Sequence, residues 1–132
     1  EEINLFNQLQ ITDCVHREKH TDDETLLDLY KRAKCLVYPS EHEGLGLPPI
    51  EAMSFGCPTI TSNHPAILEG VGNAYANFDQ KDILQIKKIL EEYLYSQDKM
   101  KKLIELGLLR SKKFSWEKCV EETLNIYKMI LN

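Results

Sequence analysis

The sequence predicts an α/β fold, in which a short parallel sheet carries helices on both faces and a helical segment closes the chain. Two observations support this. Apolar runs at residues 35–38, 58–61 and 74–78, punctuated by proline or glycine, alternate with stretches of helical periodicity, the pattern of βαβ units. From Asp79 onward the apolar residues recur at helical spacing only. With 132 residues the chain is of single-domain size, and no second core is required.

Taken in order, Ile3, Leu5, Phe6 and Leu9 mark a short amphipathic helix over residues 2–10. Asp13–His16 reads as a short strand. Thr21, Asp22, Asp23 and Glu24 then precede Leu26, Leu27, Leu29 and Tyr30, which gives a capping box with Thr21 at the cap and Glu24 reaching back. That reading outweighs a metal site, because carboxylates also suit the positive end of a helix. Cys35–Tyr38 is a buried parallel strand ended by Pro39. A glycine-rich loop leads into a two-turn helix over residues 48–56, opened by Pro48 and Pro49 and closed by Gly56. Pro58–Thr61 is the next strand, residues 63–73 form a turn-rich loop with room for one helical turn, and Ala74–Phe78 is a weaker strand. Asp79 caps a helix with Ile83, Ile86, Leu90 and Tyr93 on one face. Residues 97–113 form a helix with Met100, Leu103, Ile104 and Leu108 inward, and Gly107 marks a close packing point. Ser115 caps the last helix, where Trp116, Cys119, Val120, Thr123, Leu124, Tyr127 and Ile130 repeat at helical spacing and Trp116 is expected in the core.

Composition narrows the function. A net charge of −5 argues against a nucleic-acid surface, which is normally basic. It does not exclude a nucleotide, because phosphate sites use local backbone N–H groups rather than net charge. Cys14, Cys35, Cys57 and Cys119 form no C-x-x-C pair, so they read as small apolar residues of a reduced, cytoplasmic protein. No apolar run approaches the roughly 20 residues of a membrane span. Lys101, Lys102, Lys112 and Lys113 could approach anionic lipid, but two separate pairs make a solvated helix face the better reading. Peripheral membrane association is left to a longer protein.

The segment from Tyr38 to Met53 is the least ordinary stretch. In a parallel sheet, ligands lie beyond the carboxyl ends of the strands, and this loop follows such an end. Gly44 and Gly46 let the backbone approach a ligand closely. The N–H groups of Gly44, Leu45, Gly46 and Leu47 precede the positive end of a helix and so form an anion cradle. Pro48 and Pro49 cannot donate, which leaves the loop as the source of donors. Glu43 stands before the cradle and Glu51 in the first turn after it. A carboxylate accepts two hydrogen bonds at once, as the adjacent hydroxyls of a ribose or hexose require. The bland alternative is that Glu51 complements the helix dipole and Glu43 is merely solvated.

Glu43, seven intervening residues and Glu51, set between Pro39-Ser40 and Gly56-Cys57-Pro58, resemble the signature loop of the retaining GT-B glycosyltransferases of family 4. The stretch Thr21–Ala33 resembles the family's helix before that strand, Glu69–Ala74 its later turn, and Lys113–Glu117 its cue for the last helix. The resemblance implies the Rossmann-like C-terminal, donor-binding half of a GT-B enzyme. Its acceptor-binding domain and first strands would lie before Glu1, as the absence of an initial methionine also suggests. By the same resemblance Glu43 would hold the transferred hexose and be the residue on which catalysis turns, as a positioning group and not a nucleophile. Glu51 would hold the ribose hydroxyls, and the amides around Leu45, Gly46 and Leu47 would contact sugar or diphosphate. The base would sit near Arg17, Glu18 and Lys19, where family sequences vary. Leu45 replaces a phenylalanine common in that loop.

The expected reaction moves a hexose or N-acetylhexosamine from a nucleotide-sugar to a glycan or lipid-linked acceptor in bacterial surface-polysaccharide assembly. A uridine-linked donor leads and guanosine-linked mannose stays open. No cofactor or metal is expected, since the chain has no Asp-x-Asp pair. The fragment alone is expected to be inactive. A nucleotide-sugar epimerase on the same scaffold and a non-catalytic nucleotide- or glycan-binding partner subunit are the competing functions.

Overall fold

A computed structural model of the chain describes residues 2–131. Three parallel strands, β1 (Leu36–Tyr38), β2 (Thr59–Ser62) and β3 (Tyr75–Phe78), lie in that order in one sheet. Leu36, Val37 and Tyr38 face Thr59, Ile60 and Thr61, which in turn face Tyr75, Ala76 and Asn77. Helices occur as α1 (Glu2–Gln8), α2 (Asp23–Arg32), α3 (Leu47–Ser54), α4 (Pro65–Val71), α5 (Ile83–Leu94), α6 (Gln97–Ser111) and α7 (Trp116–Leu131).

Side chains alternate across a strand, so the register sorts the sheet into two faces. Ile60, Ala76 and Phe78 share one face and pack on Leu103 of α6 with Ile86, Ile89, Leu90 and Tyr93 of α5. Tyr38 and Tyr75 share the other and pack against Met53 of α3 and Ile67 and Val71 of α4. Tyr30 of α2, Ala52 of α3 and Cys57 close a third cluster with Leu26 and Leu36. Helices therefore cover both faces, as expected, and the central strand β2 is buried throughout.

Several local expectations change. Asp13–His16 is not a strand: Thr12–Cys14 form one 3-10 turn and the chain then runs on in exposed irregular backbone, because no neighbouring strand is there to pair it. The cap of α2 is Asp22, not Thr21; its carboxylate accepts the Thr25 N–H at 2.8 Å. Likewise Asp82, not Asp79, caps α5 and accepts the Gln85 N–H, leaving Asp79 to bind the Lys81 N–H. In both cases the residue immediately before the helix wins over one further upstream, since a cap oxygen must reach an N–H within the first turn. Residues 65–71 form a full helix started by Pro65, not a loop. Ile83 and Leu108 face solvent. Trp116 is 76 % exposed and α7 buries no residue, so Trp116 is not part of the core. Cys57 is buried and Cys35 half-buried, but Cys14 and Cys119 are exposed.

Gly107 does mark a close approach. A Cβ there would lie 3.0 Å from Met53 Cγ, so α6 lies directly against α3. This contact fixes the helix that follows the glycine loop.

Candidate functional site

The site begins where β1 ends. Tyr38 is the last residue of β1, and its ring packs into the cluster of Met53, Ile67, Val71 and Ala74. The chain turns at Pro39, and Ser40 is fastened to the neighbouring strand by Ser62 Oγ, which donates to the Ser40 carbonyl at 2.6 Å. Glu43 is thereby brought back over the strand end. Its Oε1 accepts hydrogen bonds from Tyr38 Oη and from Ser40 Oγ, the latter at 3.0 Å. The carboxylate is half-buried and held, not freely solvated. Burial first, and the Glu43 carboxylate second, push the Tyr38 phenol up to about 12.

The loop then opens toward α3. Gly46 takes a left-handed conformation with φ 75°, and it stands at the cap of the helix. Another residue there would be strained, and its Cβ would press on Ile67 Cγ1 at 3.3 Å. Gly44 differs: its φ is not positive, and no protein atom lies within 4 Å of where its Cβ would be. Nothing inside the protein excludes a side chain at Gly44; the open space lies toward whatever approaches the loop. Gly70 of α4 supports the turn from behind, since a Cβ there would meet the Leu45 carbonyl at 2.5 Å. Among the described residues no backbone acceptor takes the N–H of Gly44, Leu45, Gly46 or Leu47. Four donors stand together at the start of a helix whose next two residues, Pro48 and Pro49, offer none.

Glu51 lies on α3 and is exposed. Because the helix starts at Leu47, Glu51 falls in the second turn, not the first, which weakens the dipole account of it. Its charge reaches Tyr30: burial first, then Glu51, raise the Tyr30 phenol. Tyr38 in turn feels both Glu43 and Tyr30. Glu43 thus acts on Tyr38 and Glu51 on Tyr30, each raising the phenol it faces. Tyr38, Ser40 and Tyr30 were not among the residues singled out from sequence. A tyrosine closing a strand five residues before a glutamate was the available signal.

Arg17, Glu18 and Lys19 are exposed. Arg17 pairs with Glu2 at 3.2 Å and Glu18 with His16 at 2.6 Å. Among the described residues no hydrogen bond or ion pair joins this stretch to the glycine loop. A concavity of about 350 Å³ beside Asn73, Tyr75 and Tyr93, and one of about 610 Å³ along Trp116, Val120 and Leu124, both lie away from the loop.

The back of the site is secured by α6. Arg110 donates through Nε to the Gly70 carbonyl at 2.8 Å and through Nη2 to the Glu69 carbonyl at 2.5 Å. It thereby satisfies carbonyls at the C-terminal end of α4, next to Gly72, whose φ of 62° ends the helix.

A parallel sheet with helices on both faces and an amide-lined glycine turn beyond its first strand has the architecture of a GT-B glycosyltransferase domain. A solved sucrose-phosphate synthase from Thermosynechococcus elongatus superposes on 98 % of this chain, and on 33 % of its own, with a TM-score of 0.89 at 24 % identity. The chain belongs to the glycosyl transferases group 1 family, whose model matches residues 1–109. It is 39 % identical over 111 residues to the O-antigen chain mannosyltransferase B of Escherichia coli, covering 84 % of this chain and 29 % of that protein. It is 30 % identical over 128 residues to an MMP alpha-(1->4)-mannosyltransferase of Mycolicibacterium hassiacum, covering 94 % and 31 %. The chain thus spans about a third or less of these relatives. Among the described residues no helix is long and apolar enough to cross a membrane.

Proposed function

We propose that this chain is the donor-binding domain of a retaining, metal-independent glycosyltransferase of family 4, its acceptor-binding domain lying outside the chain. The observation that carries the proposal is the group of four amides without backbone acceptors at Gly44–Leu47, flanked by Glu43 and Glu51. Cleaving the bond between the anomeric carbon and the diphosphate loads negative charge onto the leaving group. Preorganised N–H donors at a helix start stabilise that charge without reorganising. Glu43 would hold the hexose hydroxyls, and Glu51 the ribose. Glu43 is no glycosidase-type acid, since that chemistry needs a second carboxylate across the scissile bond.

The mannosyltransferase names of several relatives favour mannose as the transferred sugar, and with it a guanosine-linked donor ahead of the uridine-linked one. The O-antigen enzymes among them favour a glycan acceptor in surface-polysaccharide assembly; a place at the cytoplasmic face of the membrane is part of the proposal. Arg17–Lys19 remain the proposed neighbours of the base.

The test is thermal stabilisation of the full-length enzyme by a panel of nucleotide-sugars and their nucleoside diphosphates. Glu51→Ala is expected to weaken binding of the diphosphate itself about tenfold, a lost charge-assisted hydrogen bond. Glu43→Ala is expected to weaken the nucleotide-sugar alone. The opposite order would overturn the assignment, and stabilisation by none of the panel would overturn the proposal.

A further inference from the structure

We propose that Tyr38 and Ser40 are positioning residues for sugar recognition, fixing which oxygen of Glu43 meets the donor; the inference rests on reading Glu43 as the sugar-holding group. Both hydroxyls donate to the same atom, Glu43 Oε1, the Ser40 hydroxyl sharing its one proton between that oxygen at 3.0 Å and the His42 carbonyl at 3.2 Å, and among the described residues no hydrogen bond reaches Oε2. A glutamate's terminal torsion is broad and roughly two-fold, so an unattached carboxylate would present either oxygen over a wide range of directions. Here two donors hold one oxygen and leave the other with its accepting capacity intact.

What makes the pin rigid is where its two ends are anchored. The Tyr38 ring is set by the core cluster of Met53, Ile67, Val71 and Ala74, not by the loop. Ser40 is set by Ser62 of the buried central strand, through the 2.6 Å hydrogen bond to its carbonyl. Glu43 is therefore located relative to the sheet, although it sits in a glycine-rich loop. A phenol raised to about 12 keeps its proton, and so remains a donor, throughout the physiological range. Preorganisation of this kind lowers the ordering cost of binding without adding a contact to the ligand.

Tyr38→Phe keeps the ring and its packing and removes only the hydroxyl. In the full-length enzyme, calorimetry with GDP-mannose against GDP, and with UDP-glucose against UDP, separates sugar recognition from nucleotide recognition. For whichever pair the wild type discriminates, Tyr38→Phe is expected to cut affinity for the nucleotide-sugar about tenfold and leave the diphosphate within twofold. Ser40→Ala, which acts on the same oxygen from the loop side, is expected to lose about threefold in the same sugar-only manner. In a Glu43→Ala background Tyr38→Phe should cost nothing further, which a merely structural tyrosine would not obey. Equal losses for sugar and diphosphate, additive losses with Glu43→Ala, or no loss in either variant would overturn the inference while leaving the donor site standing. A wild type that binds each nucleotide-sugar no tighter than its diphosphate would overturn the inference together with the reading of Glu43 as the sugar-holding group.

Discussion

Helices α3 and α7 are both rich in apolar residues, and the structure treats them in opposite ways. α3 buries Pro49, Ile50, Ala52 and Met53 and is enclosed by β1, β2, α4 and α6. α7 is twice as long, carries an apolar stripe from Trp116 through Val120, Leu124 and Tyr127, and buries none of it. The short helix is the one that bears the loop. Its stability comes from neighbours, not from its own eight residues, which could not hold a helix in isolation. A site built on a glycine turn needs that enclosure, because the turn has little side-chain packing of its own. The difference teaches that position in the fold, not apolar content, decides which helix this chain buries.

The comparison breaks most easily at Gly70. Its place is set by the Leu45 carbonyl, 2.5 Å from where a Cβ would stand, with Ile50 Cδ1 at 3.2 Å. The obstacle is backbone and cannot rotate away. Gly70→Ala should therefore displace the loop and destabilise the chain by about 2–3 kcal/mol, the cost of overpacking. Urea denaturation measures it. An unchanged midpoint would mean that α4 does not support the loop, and the contrast with α7 would lose its basis.

Arg110→Met tests the same support from further away. The variant keeps the apolar stem but removes both hydrogen bonds to the end of α4 and the guanidinium over the Phe114 ring, 5.1 Å from its centroid. Part of the group is exposed, which discounts the loss, and about 1–2 kcal/mol is expected in the same assay.

How much of this was legible beforehand depended on whether the signal was local. The strands at 36–38, 59–62 and 75–78, the loop, the start of α3 and the close approach at Gly107 were readable, because apolar runs, prolines and glycines report on the residues that carry them. The sequence pointed to Thr21 and Asp79 as caps where the structure uses Asp22 and Asp82, because the selection depends on backbone geometry that composition does not encode. The strand expected at 13–16 failed because a strand exists only beside a partner. In the site, Glu43 and Glu51 stood out by their spacing across the glycines. Tyr38 and Ser40 did not, because their role needs the chain to fold back on the end of β1. Arg110 lies forty residues from Gly70, and no pattern in the sequence joins them.

A smaller effect, confined to alkaline pH, sharpens the contrast from inside the enclosed region. Cys57 is buried beside Tyr30 and Ala52, and burial, with Cys35 nearby, pushes its thiol up to about 11. An unfolded cysteine ionises near 8.5–9. Between those values the unfolded chain gives up its proton while the folded chain keeps it, so stability falls as pH rises from about 9 to about 11. Tyr38 adds a fall in the same direction toward about 12. Cys57→Ala should flatten the first part of that decline. Denaturation midpoints at pH 8 and pH 10.5 for both proteins would show it, and parallel declines would place the titrating group elsewhere.

The smallest effect is expected on α7. Trp116 is 76 % exposed, and its neighbours on the stripe, Val120, Leu124 and Tyr127, are about half exposed. A side chain that leaves water only slightly on folding contributes little transfer free energy, whatever its size. Trp116→Ala should therefore change the stability of this 132-residue chain by no more than about 0.5 kcal/mol, the range of ordinary surface substitutions. For a core tryptophan the same truncation costs about 3–5 kcal/mol, so the measurement separates the two environments cleanly. A loss of that size would mean that α7 is covered in solution, and the contrast with α3 would fall.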